Sequence, residues 1–228
     1  MTRRPRTGAA LVVLAAAAVA PIALGAGGGR SSQVLDVRSF RPVEGPSSGP
    51  AVYYQVVEEP GGSTVLRGDY RPGLETVVMG APIPEALRGR VRQLRWRWRV
   101  RAFPVGGDEC GGSRGDSAAS VLVTFKRGFR WYILKYVWSP VSPLGATCDR
   151  KRTLLLVRDT IILERAGPVG RWFNEVIDVR RAFIDHFENG NPRADVPDLV
   201  GVGVMTDGDQ THTVSGADWA DFEVQYDN

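Results

Sequence analysis

The sequence has few of the side chains on which common enzyme mechanisms depend. Its 228 residues include only two histidines, two cysteines and three lysines. His186 and His212 are too few for a histidine-rich metal centre or for most histidine-based acid–base schemes. The sequence also has no Walker loop, no dinucleotide-binding glycine motif after a strand and no His-Glu-x-x-His zinc motif. These absences exclude the best-known nucleotide-dependent and zinc-dependent classes.

A strong net charge is also absent once the first residues are set aside. The 29 basic and 25 acidic residues give a net charge of +4. Three of the basic residues, Arg3, Arg4 and Arg6, stand ahead of an apolar run, and without them 26 − 25 leaves +1. Duplex binders concentrate a basic field, so we predict no nucleic-acid partner.

The only long apolar run lies near the N-terminus. Three arginines and no acid occupy residues 1–8, Ala9–Leu24 is almost wholly apolar, and small residues follow up to Gly29. These are the parts of a secretory signal peptide, and the run is short and alanine-rich for a membrane span, which needs about 20 strongly apolar residues. We predict that residues 1–29 are a signal peptide, removed or kept as an N-terminal anchor, and that residues 30–50 form a flexible linker. The protein is then exported, periplasmic or extracellular, with no stable membrane span after signal removal.

The two cysteines lie in loop-like stretches on either side of a predicted hairpin. The hairpin comprises Ser117–Phe125, a short turn and Phe129–Trp138. Segments that flank a hairpin emerge together at its open end, so Cys110 and Cys148 can meet there. In an oxidising compartment, an even pair of loop cysteines predicts a disulfide bond.

Short apolar-rich runs separated by glycine and proline recur along the chain, which predicts an all-β fold. We expect an antiparallel β-sandwich of jelly-roll type that forms a single domain over residues 51–228. One stretch, Val179–Phe187, has apolar residues at helical spacing and predicts a short helix. The predicted strands are Val52–Glu58, Thr64–Tyr70, Glu75–Met79, Val91–Arg101, Ser117–Phe125, Phe129–Trp138, Leu154–Leu163, Trp172–Val179, Leu199–Thr206 and Trp219–Gln225.

The segment Arg95–Arg101 alternates arginine with apolar residues. Period-two geometry places Trp96, Trp98 and Val100 on one face and four arginines on the other. One interpretation is a cationic ladder for acidic ligands. The interpretation that we favour is an aromatic core face backed by arginines that pair with acids on neighbouring strands.

The loop Asp207–Thr211 presents oxygen-bearing side chains at every second position. Asp207, Asp209 and Thr211 are of the type that binds Ca²⁺, which takes about 6–8 oxygen ligands. Aspartate and glycine are also ordinary turn residues, and we favour a structural turn. We therefore expect no cofactor, with calcium as the one candidate.

Two further patterns lie near Cys110. Residues 111–115 match Gly-x-Ser-x-Gly, but they lie in a glycine-rich loop and lack the strand–turn–helix context of a nucleophile elbow at Ser113. Asp108, Glu109 and Asp116 are acids of the same loop, and a carboxylate pair across a cleft can hydrolyse a glycosidic bond. Solvated loop acids are the simpler interpretation.

Four segments taken in order make the sequence resemble domain-of-unknown-function family 3047, an uncharacterised bacterial group. The segments are Leu94–Val100, Gly106–Phe125, Leu134–Ser139 and Val200–Thr211. The resemblance covers roughly residues 52–226 and implies a one-domain β-sandwich of exported proteins with no established activity. The chain departs from the family at Gln210, where asparagine is expected, and in its cysteine pair.

These observations favour an exported, non-catalytic protein that binds a carbohydrate or another cell-envelope ligand. Its site would comprise the aromatic residues Trp131, Trp138 and Trp219, exposed at sheet edges, together with acids such as Asp116. The alternatives are a structural or adaptor protein of the envelope without a small-molecule site and, third, a hydrolase that acts on glycans or acyl groups.

Overall fold

The computed structural model describes residues 29–43 and 50–228. The predicted signal peptide therefore lies outside the described residues, apart from Gly29. The described ranges contain one helix, α1 (Val179–Phe187), as the sequence predicts. The strands are β1 (Arg30–Leu35), β2 (Arg41–Pro42), β3 (Tyr54–Glu58), β4 (Thr64–Tyr70), β5 (Met79–Pro82), β6 (Val91–Ala102), β7 (Ala119–Arg127), β8 (Arg130–Ser139), β9 (Thr147–Arg152), β10 (Leu156–Arg165), β11 (Phe173–Asp178), β12 (Asp198–Met205) and β13 (Ser215–Asp227).

The strands form two sheets that pack face to face. The six-stranded sheet has the order β11-β6-β13-β4-β3, with β1 paired to β13, and the seven-stranded sheet has the order β2-β5-β12-β7-β8-β10-β9. Strands β8 and β10 run parallel, whereas the other described pairs are antiparallel. The prediction of a jelly-roll-type β-sandwich with one short helix is confirmed.

Four tryptophans dominate the core between the sheets. Trp96 and Trp98 project inward from β6, as the alternation of Arg95–Arg101 predicts, and both are almost fully buried. Trp138 from the opposite sheet packs on Trp98 with ring centroids 5.6 Å apart, and Trp219 on β13 is also fully buried. Large aromatic side chains on both inner faces therefore join the sheets into one core.

Helix α1 closes one end of the core. The carboxylate of Asp178 caps it by accepting a hydrogen bond from the backbone N–H of Arg181 at 2.8 Å. Phe183 is fully buried, with its ring 5.0 Å from Phe125 and 5.2 Å from Tyr132. None of the helices among the described residues is long and apolar enough to cross a membrane.

The arginines on the outer face of the six-stranded sheet pair with acids, as the favoured interpretation expects. Asp218, which is fully buried, accepts hydrogen bonds from Arg67 Nε at 2.8 Å and from Arg99 Nε at 2.7 Å. The indole of Trp172 lies 4.5 Å from the guanidinium of Arg99. The arginine face is therefore neutralised from within the sheet.

Two segments form strands that the sequence analysis does not predict there. Within the linker predicted over residues 30–50, Arg30–Leu35 is strand β1, which pairs with the second half of β13. The strand expected at Glu75–Met79 instead runs from Met79 to Pro82, where it pairs with Gly201–Val204. In both cases backbone pairing with a long neighbouring strand outweighs local propensity.

Candidate functional site

A cleft of about 480 Å³ lies on the outer face of the seven-stranded sheet, and we call it the sheet cleft. On β8, Leu134 and Tyr136 point into the core, so strand alternation places Lys135 on the opposite, outer face. The loop that precedes β7 and the end of β12 form the walls. The charged residues that line the cleft are Glu109, Lys135, Asp149, Lys151, Arg158, Asp207 and Asp209.

A buried ion pair forms the floor of the sheet cleft. The Lys135 ammonium contacts Glu109 Oε1, and the two side chains are only 7% and 3% exposed. Burial disfavours the charged ammonium, but the charges of Glu109 and Asp207 outweigh that effect and raise the pKa of Lys135. The second carboxylate oxygen, Glu109 Oε2, is buried and has no hydrogen-bond partner among the described residues. A buried acceptor left unpaired costs free energy.

Asp207 lies beside this ion pair, directly after β12. It is almost fully buried, and its Oδ1 accepts hydrogen bonds from the Ser117 backbone N–H at 2.9 Å and the Ser117 hydroxyl at 3.3 Å. Burial raises the pKa of Asp207 to about 7, a rise that Lys135 opposes and Glu109 reinforces. Near neutral pH this carboxyl group can therefore exist in both protonation states.

A cluster of three carboxyl groups forms where the loop before β7, which carries Asp116, meets the loop after β12, which carries Asp207 and Asp209. Oxygen atoms of Asp116, Asp207 and Asp209 lie within 4.8 Å of one another, close enough to hold one metal ion. Burial and a hydrogen bond to the Asp116 carboxyl group raise the pKa of Asp209. Thr211 lies beside the cluster, because its N–H and hydroxyl both donate to Asp116 Oδ2 at 2.6 Å. The predicted donor set of Asp207, Asp209 and Thr211 stays a prediction, and the structure places Asp116 next to it.

We expect this cluster not to bind calcium. The oxygens of Asp116 already accept three hydrogen bonds, from Gln210 and Thr211, and Lys135 supplies positive charge next to Asp207. Millimolar calcium should therefore leave the melting temperature as it is in EDTA. A calcium-dependent rise of several degrees that disappears in Asp209→Ala would contradict this expectation.

The predicted disulfide is confirmed, and it shapes the sheet cleft. Cys110 and Cys148 are bonded, with their Cα atoms 5.4 Å apart. The bond ties the loop that carries Glu109 to the start of β9, the edge strand that carries Asp149 and Lys151. The disulfide thus joins two walls of the cleft.

The residues predicted for ligand binding differ in their exposure to solvent. The prediction that Trp138 and Trp219 are exposed at sheet edges is wrong, because both side chains are fully buried between the sheets. Asp116 is also fully buried and cannot contact a ligand at the surface. Trp131 is 40% exposed, and it lies on the same face of β8 as Lys135, four residues or about 13 Å along the strand. The Lys126 ammonium lies 4.6 Å from the centre of its ring.

Sequence reasoning did not single out Lys135, although a signal was present. Lysine is rarely buried, so a lysine inside the otherwise apolar segment Ile133–Trp138 indicates that one face of this strand is covered by polar groups. Arg158 and Lys151 gave no signal, because isolated basic residues are ordinary at a strand edge. Ser113 is exposed and has no hydrogen bond to a histidine among the described residues, so its motif does not form a hydrolase elbow.

Comparison with known proteins identifies one family and several loosely similar folds. The family profile described as "Protein of unknown function (DUF3047)" matches residues 53–223. No curated protein matches the sequence.

Solved structures resemble the chain only loosely. A family 11 carbohydrate-binding module from Clostridium thermocellum, in complex with a mixed-linked tetrasaccharide, aligns with a TM-score of 0.41 and 7% identity over 85% of this chain and 94% of that one. The xyloglucanase domain of NopAA, a type three effector from Sinorhizobium fredii, aligns with a TM-score of 0.42 and 10% identity over 86% of this chain and 97% of that one. Endoglucanase 3 of Trichoderma harzianum, from family GH12, aligns with a TM-score of 0.37 and 8% identity over 89% of this chain and 100% of that one. At these TM-scores the ligands and activities of those proteins say nothing about this chain.

Proposed function

The chain belongs to the DUF3047 family, whose description assigns no function, and from the geometry of its sheet cleft we propose that it is an exported protein that binds a carbohydrate. The basic and apolar pattern of residues 1–29 and the Cys110–Cys148 disulfide support export, because disulfides persist in oxidising compartments.

One observation supports carbohydrate as the ligand. The sheet cleft interleaves hydrogen-bond donors and acceptors, three basic and four acidic, on the same face of the sheet as an exposed tryptophan. Sugar hydroxyl groups both donate and accept hydrogen bonds, so they match such a lining, whereas a nearly balanced charge favours neither a strong anion nor a strong cation. The cleft volume lies within the range of about 300–1,000 Å³ that is usual for small-molecule sites.

The contacts suggest how an oligosaccharide would lie. Asp149 and Asp209, which are exposed, offer acceptors for sugar hydroxyl groups, while Lys151 and Gln210 offer donors at the rim of the cleft. A ligand that extends along β8 reaches the ring of Trp131, whose apolar face suits the C–H face of a sugar ring.

Binding can be tested by affinity electrophoresis and calorimetry with neutral hexose oligosaccharides of the cello-, malto- and laminari- series. We expect at least one series to bind the wild-type protein. Trp131→Ala should abolish most of that binding, and Asp209→Ala should weaken it, because each removes one contact of the proposed site.

Phe129→Ala is the matched control, since Phe129 is an aromatic residue that is 90% exposed at the β7–β8 turn. It should bind as the wild type does. If no series binds, or if Phe129→Ala and Trp131→Ala lose binding equally, the proposal fails.

One observation also favours hydrolysis of a glycosidic bond as a second candidate function. The cleft contains two carboxyl groups in different environments: Glu109 is ion-paired with Lys135, whereas burial raises the pKa of Asp207 to about 7. A carboxyl group that stays protonated near neutral pH can act as a general acid beside an ionised partner. If this function holds, reducing ends are released from a bound oligosaccharide, and Asp207→Asn abolishes the release while binding persists.

A further inference from the structure

A second cleft, of about 900 Å³, lies between α1 and the inner side of the seven-stranded sheet, and we call it the helix cleft. It is separate from the sheet cleft because β9 and β10 direct alternate side chains to opposite faces. On β9, Asp149 and Lys151 line the sheet cleft, whereas Arg150 and Arg152 line the helix cleft. The titratable side chains that line the helix cleft are Arg127, Arg130, Tyr132, Arg150, Arg152, Asp159, Asp185, His186 and Glu188.

The helix cleft has more guanidinium groups than carboxylates available to neutralise them. Arg127 pairs with Glu188 at 3.2 Å, and Arg152 pairs with Asp159 at 2.5 Å. A third acid at the cleft, Asp185, is paired with a cation outside the lining, Arg181, at 2.8 Å.

Two arginines of the helix cleft are left without a carboxylate partner. Arg130 makes one hydrogen bond, to the backbone carbonyl of Thr153 at 3.3 Å. For Arg150 the described part of the chain provides neither a hydrogen bond nor an ion pair. The cleft therefore carries positive charge that no group in residues 29–43 and 50–228 neutralises.

Aromatic rings hold several of these guanidinium groups in place. Arg130 lies 5.5 Å from the ring centre of Tyr132, and Arg152 lies 5.6 Å from that of Phe187. Arg152 already donates to the backbone carbonyls of Lys151 and Arg158, whereas stacking leaves the N–H edge of Arg130 open to the paired oxygens of an oxyanion apart from its one hydrogen bond.

A buried carboxylate orients the remaining polar group of the helix cleft. Asp159 is only 1% exposed, and its Oδ2 lies 3.0 Å from His186 Nδ1. In the imidazolium form of His186, Nδ1–H donates to Asp159 and Nε2–H is free to donate to a ligand, since no described residue pairs with Nε2. Asp159 thus acts as a positioning residue that fixes both His186 and Arg152.

We propose that the helix cleft binds an oxyanionic group, phosphate or sulfate, of a small ligand. Arg150 and Arg130 supply the charge and the N–H donors, the imidazolium form of His186 adds its Nε2–H, and the rings of Tyr132 and Phe187 form an apolar wall for the rest of the ligand. Arginine forks suit this task because they present parallel N–H groups to paired oxygens.

The experiment is a titration of the full chain with inorganic phosphate and, separately, with inorganic sulfate, each at constant ionic strength set with sodium chloride. Amide NMR shifts are followed, and acetate serves as a carboxylate probe. We expect saturable shifts centred on β9 and the end of α1. A response to phosphate and sulfate but not to acetate assigns the site to tetrahedral oxyanions. An equal or stronger response to acetate overturns that assignment.

Arg150→Gln is the decisive variant because Arg150 is exposed and makes no contact that folding requires. Loss of a charge-assisted hydrogen bond worth about 1.5–3 kcal/mol should weaken phosphate or sulfate binding roughly tenfold or more. Arg165→Gln is the matched control: Arg165 is also exposed, but it lies eight residues, or about 25 Å, along β10 from Val157, which lines the cleft.

The control variant should bind as the wild type does. Unsaturable shifts in the wild type, or equal losses in Arg150→Gln and Arg165→Gln, would overturn the proposal. The inference is independent of carbohydrate binding, since Trp131→Ala and Asp209→Ala lie on the opposite face of the sheet and should leave oxyanion binding unchanged.

Discussion

Several carboxyl groups of this protein are buried, and that of Asp218 contributes to the stability of the fold. It is fully buried in the six-stranded sheet and accepts hydrogen bonds from two guanidinium groups, those of Arg67 and Arg99. Removal of one member of a buried charge network leaves the others unpaired, and that cost usually exceeds the net value of the pair itself.

We therefore expect Asp218→Ala to lower the free energy of unfolding by about 3–5 kcal/mol. Asp69→Ala is the control, because Asp69 pairs with Arg101 on the same face but is 42% exposed; it should cost no more than about 1 kcal/mol. Urea denaturation of both variants measures the difference. Equal losses would show that burial of Asp218 does not govern its contribution.

Asp207 is the functional counterpart, and its titration has a defined sign. Its pKa in the folded protein, about 7, is higher than the value of about 3.9 in an unfolded chain. Its contribution to stability is therefore fully present below about pH 4 and is lost as the pH rises through about 7.

Asp207→Asn should accordingly raise the melting temperature at mildly alkaline pH, because asparagine keeps the acceptor for Ser117 without the buried charge. The gain should shrink as the pH falls from about 7 and vanish near pH 4, where the wild-type carboxyl group is protonated in both states. Melting curves of both proteins across this range provide the measurement. A variant that is less stable at every pH would contradict the raised pKa.

At the scale of elements, strand β9 and the loop before β7 depend on each other through the disulfide. The bond closes a separation of 38 residues, and cross-links of this kind contribute about 2–4 kcal/mol to stability. Strand β9 is short, polar and at the sheet edge, with β10 as its one strand neighbour in the described sheet.

Cys110→Ser should therefore lower the free energy of unfolding by about 2–4 kcal/mol. Cys148→Ser should match it, and the double variant should lose no more than either single one, because all three remove the same bond. Denaturant unfolding without reductant checks this expectation. Unequal single variants would point to a role of one cysteine beyond the cross-link.

The elements also show which parts of a fold can be predicted from sequence. Strand β6 and helix α1 were predictable because their apolar spacing is local. Strand β9 was not, since its sequence, Thr147–Arg152, has no apolar alternation and becomes a strand by pairing with β10. The burial of Trp138 could not be predicted either. Strand alternation shows which side chains share a face of the sheet, but it does not show which face the second sheet covers.

At the scale of the whole molecule, the outer face of the six-stranded sheet holds paired charges, whereas the helix cleft holds the unneutralised arginines Arg130 and Arg150. Acids neutralise the arginines of the six-stranded sheet in place, as with Arg97 and Asp221, whose side chains are 2.6 Å apart. We therefore expect no retention on heparin or duplex DNA at physiological salt. Retention that persists there and disappears in Arg97→Glu would contradict this prediction.

Only part of the candidate site can be predicted from the sequence, because the fold of the whole molecule brings distant loops together. The loop with Glu109 and the loop with Asp207 are far apart in the sequence, and the sandwich brings them together over Lys135. Spacing along the chain identified the loop acids, but the lysine that organises them required the sheet to be assembled.

Because alternate side chains of β9 line both clefts, the two clefts share one stretch of backbone. Any ligand held from one side restricts the motions of that backbone, so part of the ordering entropy is already lost when a second ligand arrives on the other side. Thermodynamic linkage then requires the effect to be mutual and equal in both directions. If both proposed ligands bind, we therefore expect cooperativity between opposite faces of the sheet through this edge strand of six residues.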